Sequence, residues 1–124
     1  MAIAHSANAS GQTHDLLDHL QKVAQLASTF ANKFNARELG HWAGIWPDIG
    51  KAHPDFQKYL RTCETDPEKR HRGPEHKGAG TVVAFEKRCE LLTFLIAGHH
   101  GGLPSKAQLK TWIGQKASSE STPG

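Results

Sequence analysis

Nine histidines are scattered through this chain of 124 residues, too dispersed to be a purification tag. Histidine is the commonest side-chain ligand of transition metals, so this richness asks for a site. Four groups stand out: His19, Asp48, His76 and the adjacent pair His99-His100. Imidazole nitrogens with one carboxylate suit Mn, Fe, Co, Ni or Zn, and this mixed donor set argues against calcium. A carboxylate can bridge two cations, and such a pair clamps a phosphodiester and activates water. Spacing alone leaves a second reading open at each position. A histidine beside an apolar stripe also serves as a hydrogen-bonded structural group, and two at a helix end can satisfy carbonyls and the helix dipole. His5, His14, His53 and His71 read as solvent or loop residues, with His41 left open.

Helices must position these groups. Leu16, Leu20, Val23, Ala27, Phe30 and Phe34 recur at spacings of three and four, which predicts a helix over 13–34 with one apolar face. Thr13 is its expected cap, Asp15 favours its dipole, and His19 borders the stripe. A second helix is expected over 36–49, with Gly50 as its stop. A third follows from Pro54, a favoured first-turn residue, to about Thr62. Residues 64–74 read as a polar, mobile connector. A fourth helix is expected from Pro74 or Glu75 to about Arg88. A fifth, apolar one over 89–97 would end at Gly98, with His99 and His100 following its terminus. A short segment over 104–114 precedes a Ser/Thr/Pro/Gly-rich tail, 117–124, expected to be disordered. No strand alternation and no repeat is evident, so the fold class is all-α, with the domain over 1–116. Sites built between facing helices of a bundle suit such ligands.

The composition is that of a soluble globular domain, with 37% hydrophobic and 22% charged residues. No apolar run reaches the roughly 20 residues that span a bilayer. The N-terminus has neither the basic start nor the apolar core of a secretory signal. Cys63 and Cys89 form no zinc-type pair and read as reduced thiols of a cytoplasmic protein. The net charge of +3 is compatible with a polyanionic partner without demonstrating one.

The segment Ala43-Gly44-Ile45-Trp46-Pro47-Asp48-Ile49-Gly50-Lys51 resembles the HD motif of HD-superfamily phosphohydrolases. More narrowly, the chain resembles the HD nuclease domain of type I CRISPR-associated helicase-nucleases. The matching pieces, in the family's order, are Ala4-His5-Ser6, Asp18-His19-Leu20, Asp48-Ile49-Gly50-Lys51 and Phe56-Gln57-Lys58-Tyr59-Leu60. His76-Lys77-Gly78-Ala79-Gly80 and Gly98-His99-His100-Gly101-Gly102-Leu103-Pro104 complete the set, which covers residues 4–104. The resemblance implies an HD helical bundle holding one or two divalent ions (Mn, Fe, Co or Ni, or Mg). His19 would bind the first metal, Asp48 would bridge, and His76, His99 and His100 would hold the second. Lys51 would lie beside the site, where its ammonium could meet phosphate; as a plain sequence feature it also reads as a solvated charge at a helix end. Phe56 and Gln57 would give packing and local support. The implied substrate is single-stranded DNA in antiviral defence. The implied partners are a helicase subunit or domain and the RNA-guided surveillance complex, with no membrane.

The chain departs from the family pattern at two places. Pro47 stands where the motif has histidine, so the first metal loses a ligand. Inside a helix, proline would also break the bond to residue 43 at a cost of about 3 kcal/mol and bias Trp46 away from helical geometry. His41 is about 10 Å from Asp48 along a helix, too far to replace the lost ligand, and His53 could do so only if its loop folded back. The second departure is the absence of any Asp after Asp66, where the family has a further ligand, so the domain reads as truncated at its C-terminus. Three readings follow: a CRISPR-type nuclease domain impaired by Pro47, a degenerate domain that binds metal or a partner without turnover, and a phosphohydrolase acting on small nucleotides.

Overall fold

A computed structural model describes residues 1–66, 68, 73–76 and 78–120, with the side chains of His100, Ala117, Ser119 and Glu120 left out. The fold is all-α, as expected, with six α-helices and one small two-stranded ladder among the described residues. The ladder pairs β1 (Ile3–His5) antiparallel with β2 (His14–Asp15). Strands this short leave no alternation to read. Helix α1 (Leu16–Ala31) follows directly, and a 3-10 turn over Asn32–Phe34 closes it, with Asn35 in the left-handed region at φ 61°. Its cap is Asp15, not Thr13: Asp15 Oδ1 accepts the Asp18 backbone N–H at 2.9 Å.

Helix α2 (Arg37–Ile45) packs back along α1, the most extensive helix pairing of the molecule. The approach selects small residues. A Cβ on Gly40 would lie 2.6 Å from the Ala27 carbonyl oxygen, and one on Gly44 would lie 2.6 Å from Ala24 Cα. Close approach on this line buries Leu16, Ala24, Ser28 and Ala31. It leaves Val23, Phe30 and Phe34 of the expected apolar stripe exposed. The buried face is therefore rotated from the one the large residues suggested.

After Ile45 the chain tightens into a 3-10 helix over Trp46–Ala52, so the expected helix over 36–49 is split. Pro47 lies in the first turn of that new segment, where an intrahelical N–H partner is not required. Trp46 stays helical at φ −67° and ψ −30°, against the usual bias before proline. The expected strain of a mid-helix proline is thus relieved by a change of helix type at that point. Helix α3 (Pro54–Thr65) starts at Pro54 and runs three residues beyond expectation, into the segment read as a connector. Residues 67 and 69–72 of that segment lie outside the described residues.

Helix α4 (Gly78–Glu86) begins later than predicted, so His76 precedes it. Helix α5 (Glu90–Gly101) runs later, so His99 and His100 lie within its last turn, not after it. A capping box opens α6 (Lys106–Glu120): Gln108 N–H donates to Ser105 Oγ and Ser105 N–H to Gln108 Oε1. This helix extends through 117–120, which the sequence suggested were tail; 121–124 lie outside the described residues.

Trp46, Ala84, Leu92 and Ile96 form the main core, flanked by Leu39, Ile49 and Val83. Burying Leu92 and Ile96 contributes about 1.5–3 kcal/mol each. Because Trp46 is a member, the same core that joins α4 to α5 anchors the segment bearing Asp48. A second cluster of Ile3, Phe56 and Leu60 fixes β1 on α3. Both cysteines are free thiols, and Cys63 is buried. No helix among the described residues is long and apolar enough to cross a membrane.

Candidate metal centre

Antiparallel packing of α1 on α2 brings the first turn of α1 to the 3-10 helix that follows α2. His19 and Asp48, 29 residues apart, meet there: His19 Nε2 lies 3.3 Å from Asp48 Oδ2, each side chain about one quarter exposed. Lys51 Nζ approaches the same oxygen at 3.4 Å. Of the two readings of Lys51, the solvated charge is excluded, since the residue is only 8% exposed. A buried ammonium is retained because a carboxylate neutralises it.

The electrostatics follow from this triangle. Burial raises the pKa of Asp48, but the Lys51 ammonium and the His19 hydrogen bond outweigh it and hold the carboxyl below its ordinary value. Asp48 is therefore a carboxylate at neutral pH.

Gln57 builds the floor of the site. Its side-chain Oε1 accepts the Ile3 N–H at 2.7 Å, while Nε2 donates to the Ile3 and Lys51 carbonyls at 2.8 and 2.7 Å. One buried amide thus ties β1 to the segment of Asp48 and Lys51. It also delivers a residue that sequence reasoning had left to solvent. His5, at the end of β1, places its ring edge-to-face on His19 with centroids 5.3 Å apart. Burial, then Lys51 and His19, lower the His5 pKa, against the opposing pull of Asp48. The available signal was the Ala4-His5-Ser6 match, but no periodicity tied that short segment to the bundle.

His76 packs its ring on Phe56 at 4.3 Å between centroids. Its backbone presses on Gly50, where a Cβ would lie 2.1 Å from the His76 carbonyl oxygen. With His53, Asp55 and Glu75 it lines a cleft of about 690 Å³. Lys116 of α6 closes on Glu75 at that cleft. His99 is exposed on α5, and the side chain of His100 lies outside the described residues. Among the described residues, no three or more His, Cys, Asp or Glu stand together at metal-ligand spacing. The donor chemistry of His19 and Asp48 fits a borderline divalent ion, and these two expected ligands are in contact.

A helical domain in which a histidine of the first helix meets the aspartate and lysine of an Asp-Ile-Gly-Lys turn has the architecture of an HD-type phosphohydrolase domain. A family model described as Cas3, HD domain, matches residues 3–122, and the chain belongs to that family of CRISPR-associated HD nucleases. A search of curated proteins found no match.

Proposed function

We propose that this domain is a metal-dependent nuclease module that cleaves single-stranded DNA, working with a helicase and an RNA-guided complex, and that Pro47 lowers its activity. The observation that carries this reading is the convergence of His19 and Lys51 on Asp48 within a chain of this family. A divalent ion held by His19 and Asp48 would supply Lewis acidity and an activated water. The chain's own groups do the positioning. Asp48, ionised and fixed by the core through Trp46, presents a carboxylate to a cation. Lys51 presents a desolvated ammonium next to it, suited to orient a phosphoryl oxygen and to offset charge as it develops there. Lys51 is held for that task by its carbonyl bond to Gln57.

Digestion of single-stranded DNA with Mn, Co, Ni, Fe or Mg tests the reading. We expect slow cleavage that Asp48→Ala abolishes; cleavage unaffected by that change would overturn it. A domain that binds metal or a partner without turnover is the second reading. It is favoured by Pro47 and by the absence of a three-ligand cluster among the described residues. Metal binding with no cleavage under any of these ions would support it.

A further inference from the structure

We propose that His5 is the third metal donor of this centre, supplying the imidazole that Pro47 cannot. The inference rests on the nuclease reading only in assuming that a divalent ion binds at His19 and Asp48.

Three geometric facts lead to it. The first is the separation of His19 Nε2 from Asp48 Oδ2, 3.3 Å. Two donors each about 2.1 Å from one ion stand roughly 3.0–3.4 Å apart between right-angle and tetrahedral arrangements. The pair, joined here by a hydrogen bond, thus stands at a separation that two ligands of one ion would also have. The second is the 5.3 Å between the His5 and His19 ring centroids, with the rings at 82°. An imidazole bound through nitrogen at about 2.1 Å has its centroid about 3.2 Å from the metal, so two such rings at the tetrahedral angle lie roughly 5.2 Å apart. The ring centres thus stand as far apart as those of two fellow ligands; the three donors do not converge as they stand, so His5 must turn its side chain to reach the ion.

The third fact is the rigidity of the strand that bears it. Ile3 and Ala4 are buried, and Gln57 holds the Ile3 N–H and carbonyl. The Ala2 carbonyl accepts the Leu16 N–H at 2.9 Å, so β1 is fastened to the start of the helix that carries His19. The backbone under His5 is thus fixed relative to both other donors, while its side chain is exposed and able to turn. Asp48 has a second carboxylate oxygen, so an ion and the Lys51 ammonium can share the group. Of the two histidines nearest Asp48 in sequence, His41 meets Trp42 edge to face and His53 caps α3 by accepting the Asp55 N–H.

The test is calorimetric titration with Co(II) of the unaltered chain, His5→Ala, Pro47→His and the double variant. Circular dichroism melts check folding, and the binding component of interest is the one lost in His19→Ala. We expect His5→Ala to weaken that component by more than about tenfold, the lower range for losing even an outer-shell partner. Pro47→His should restore it in the His5→Ala background, because either imidazole completes the same ion. Undiminished binding by folded His5→Ala would overturn the proposal while leaving the nuclease reading intact. So would binding by Pro47→His but not by the unaltered chain. Absence of binding in both the unaltered chain and Pro47→His would remove the metal-dependent reading itself.

Discussion

Gly80 is the point at which the core and the centre can be broken together. It lies on α4 against the 3-10 helix, and a Cβ there would be 1.8 Å from the Trp46 carbonyl oxygen and 2.6 Å from its carbon. Gly80→Ala must therefore push the two segments apart by about 1.5 Å to reach the roughly 3.3 Å of an ordinary carbon–oxygen contact. The obstacle is backbone, not a side chain that could swing away, which puts the cost at the upper end of the 1–3 kcal/mol typical of overpacking. Alanine recovers up to about 1 kcal/mol through helix propensity. The net loss is about 2 kcal/mol, or roughly 8 °C in melting temperature for a domain of this size. The carbonyl that moves belongs to Trp46, two residues before Asp48, so the carboxylate should also leave His19. Gly114→Ala is the control, since that exposed helical glycine has nothing within 4 Å and the change should be neutral or stabilising. Thermal denaturation followed by circular dichroism decides the matter. If Gly80→Ala melts at or above the temperature of the unaltered chain, the close packing of α4 on the Asp48 segment is not real.

Two further outcomes are expected. Gln57→Leu strands the buried Ile3 N–H, which costs about 1–3 kcal/mol, and removes two further amide bonds. Amide exchange at residues 3–5 should accelerate more than in α5, and uniform acceleration would contradict the role of Gln57 as the local tie. Acid should also act through Asp48. Its folded pKa is depressed, so its contribution to stability is complete above the unfolded value of about 3.9 and is lost as pH falls through the lower folded value. The stability gap between the unaltered chain and Asp48→Asn in denaturant melts should therefore begin to close only below about pH 4 and keep closing as pH falls further, and a constant gap would contradict the assignment.

The all-α class was legible from apolar periodicity, and proline and glycine punctuation helped to separate five of the six helices described; the sixth was read only as a short segment. The buried face of α1 was not. Periodicity weights large apolar residues, whereas Gly40 and Gly44 let α2 approach along Ala24, Ser28 and Ala31 and leave Phe30 outside. Pro47 was visible as a departure from the HD motif, but its backbone consequence depended on a switch to 3-10 geometry that local propensity does not specify. His19 with Asp48 and Lys51 could be picked out because motif order named them although His19 and Asp48 are 29 positions apart. His5 was overlooked because its place comes from Gln57, a tertiary hydrogen bond 54 residues distant in sequence. The displacement of His99 and His100 into α5 arose from treating Gly98 as a helix stop. Gly98 instead lies within the helix, and a Cβ on it would be 2.9 Å from the Leu103 side chain.

The most direct test of the account is the rate of single-stranded DNA cleavage by Pro47→His beside that of the unaltered chain, at matched folding and saturating Mn(II). Even with His5 as the third donor, an imidazole borne on the Asp48 segment itself should place the ion better, so the variant should cleave at least about tenfold faster. Equal rates, or no cleavage by either protein, would contradict the claim that residue 47 is where activity was lost.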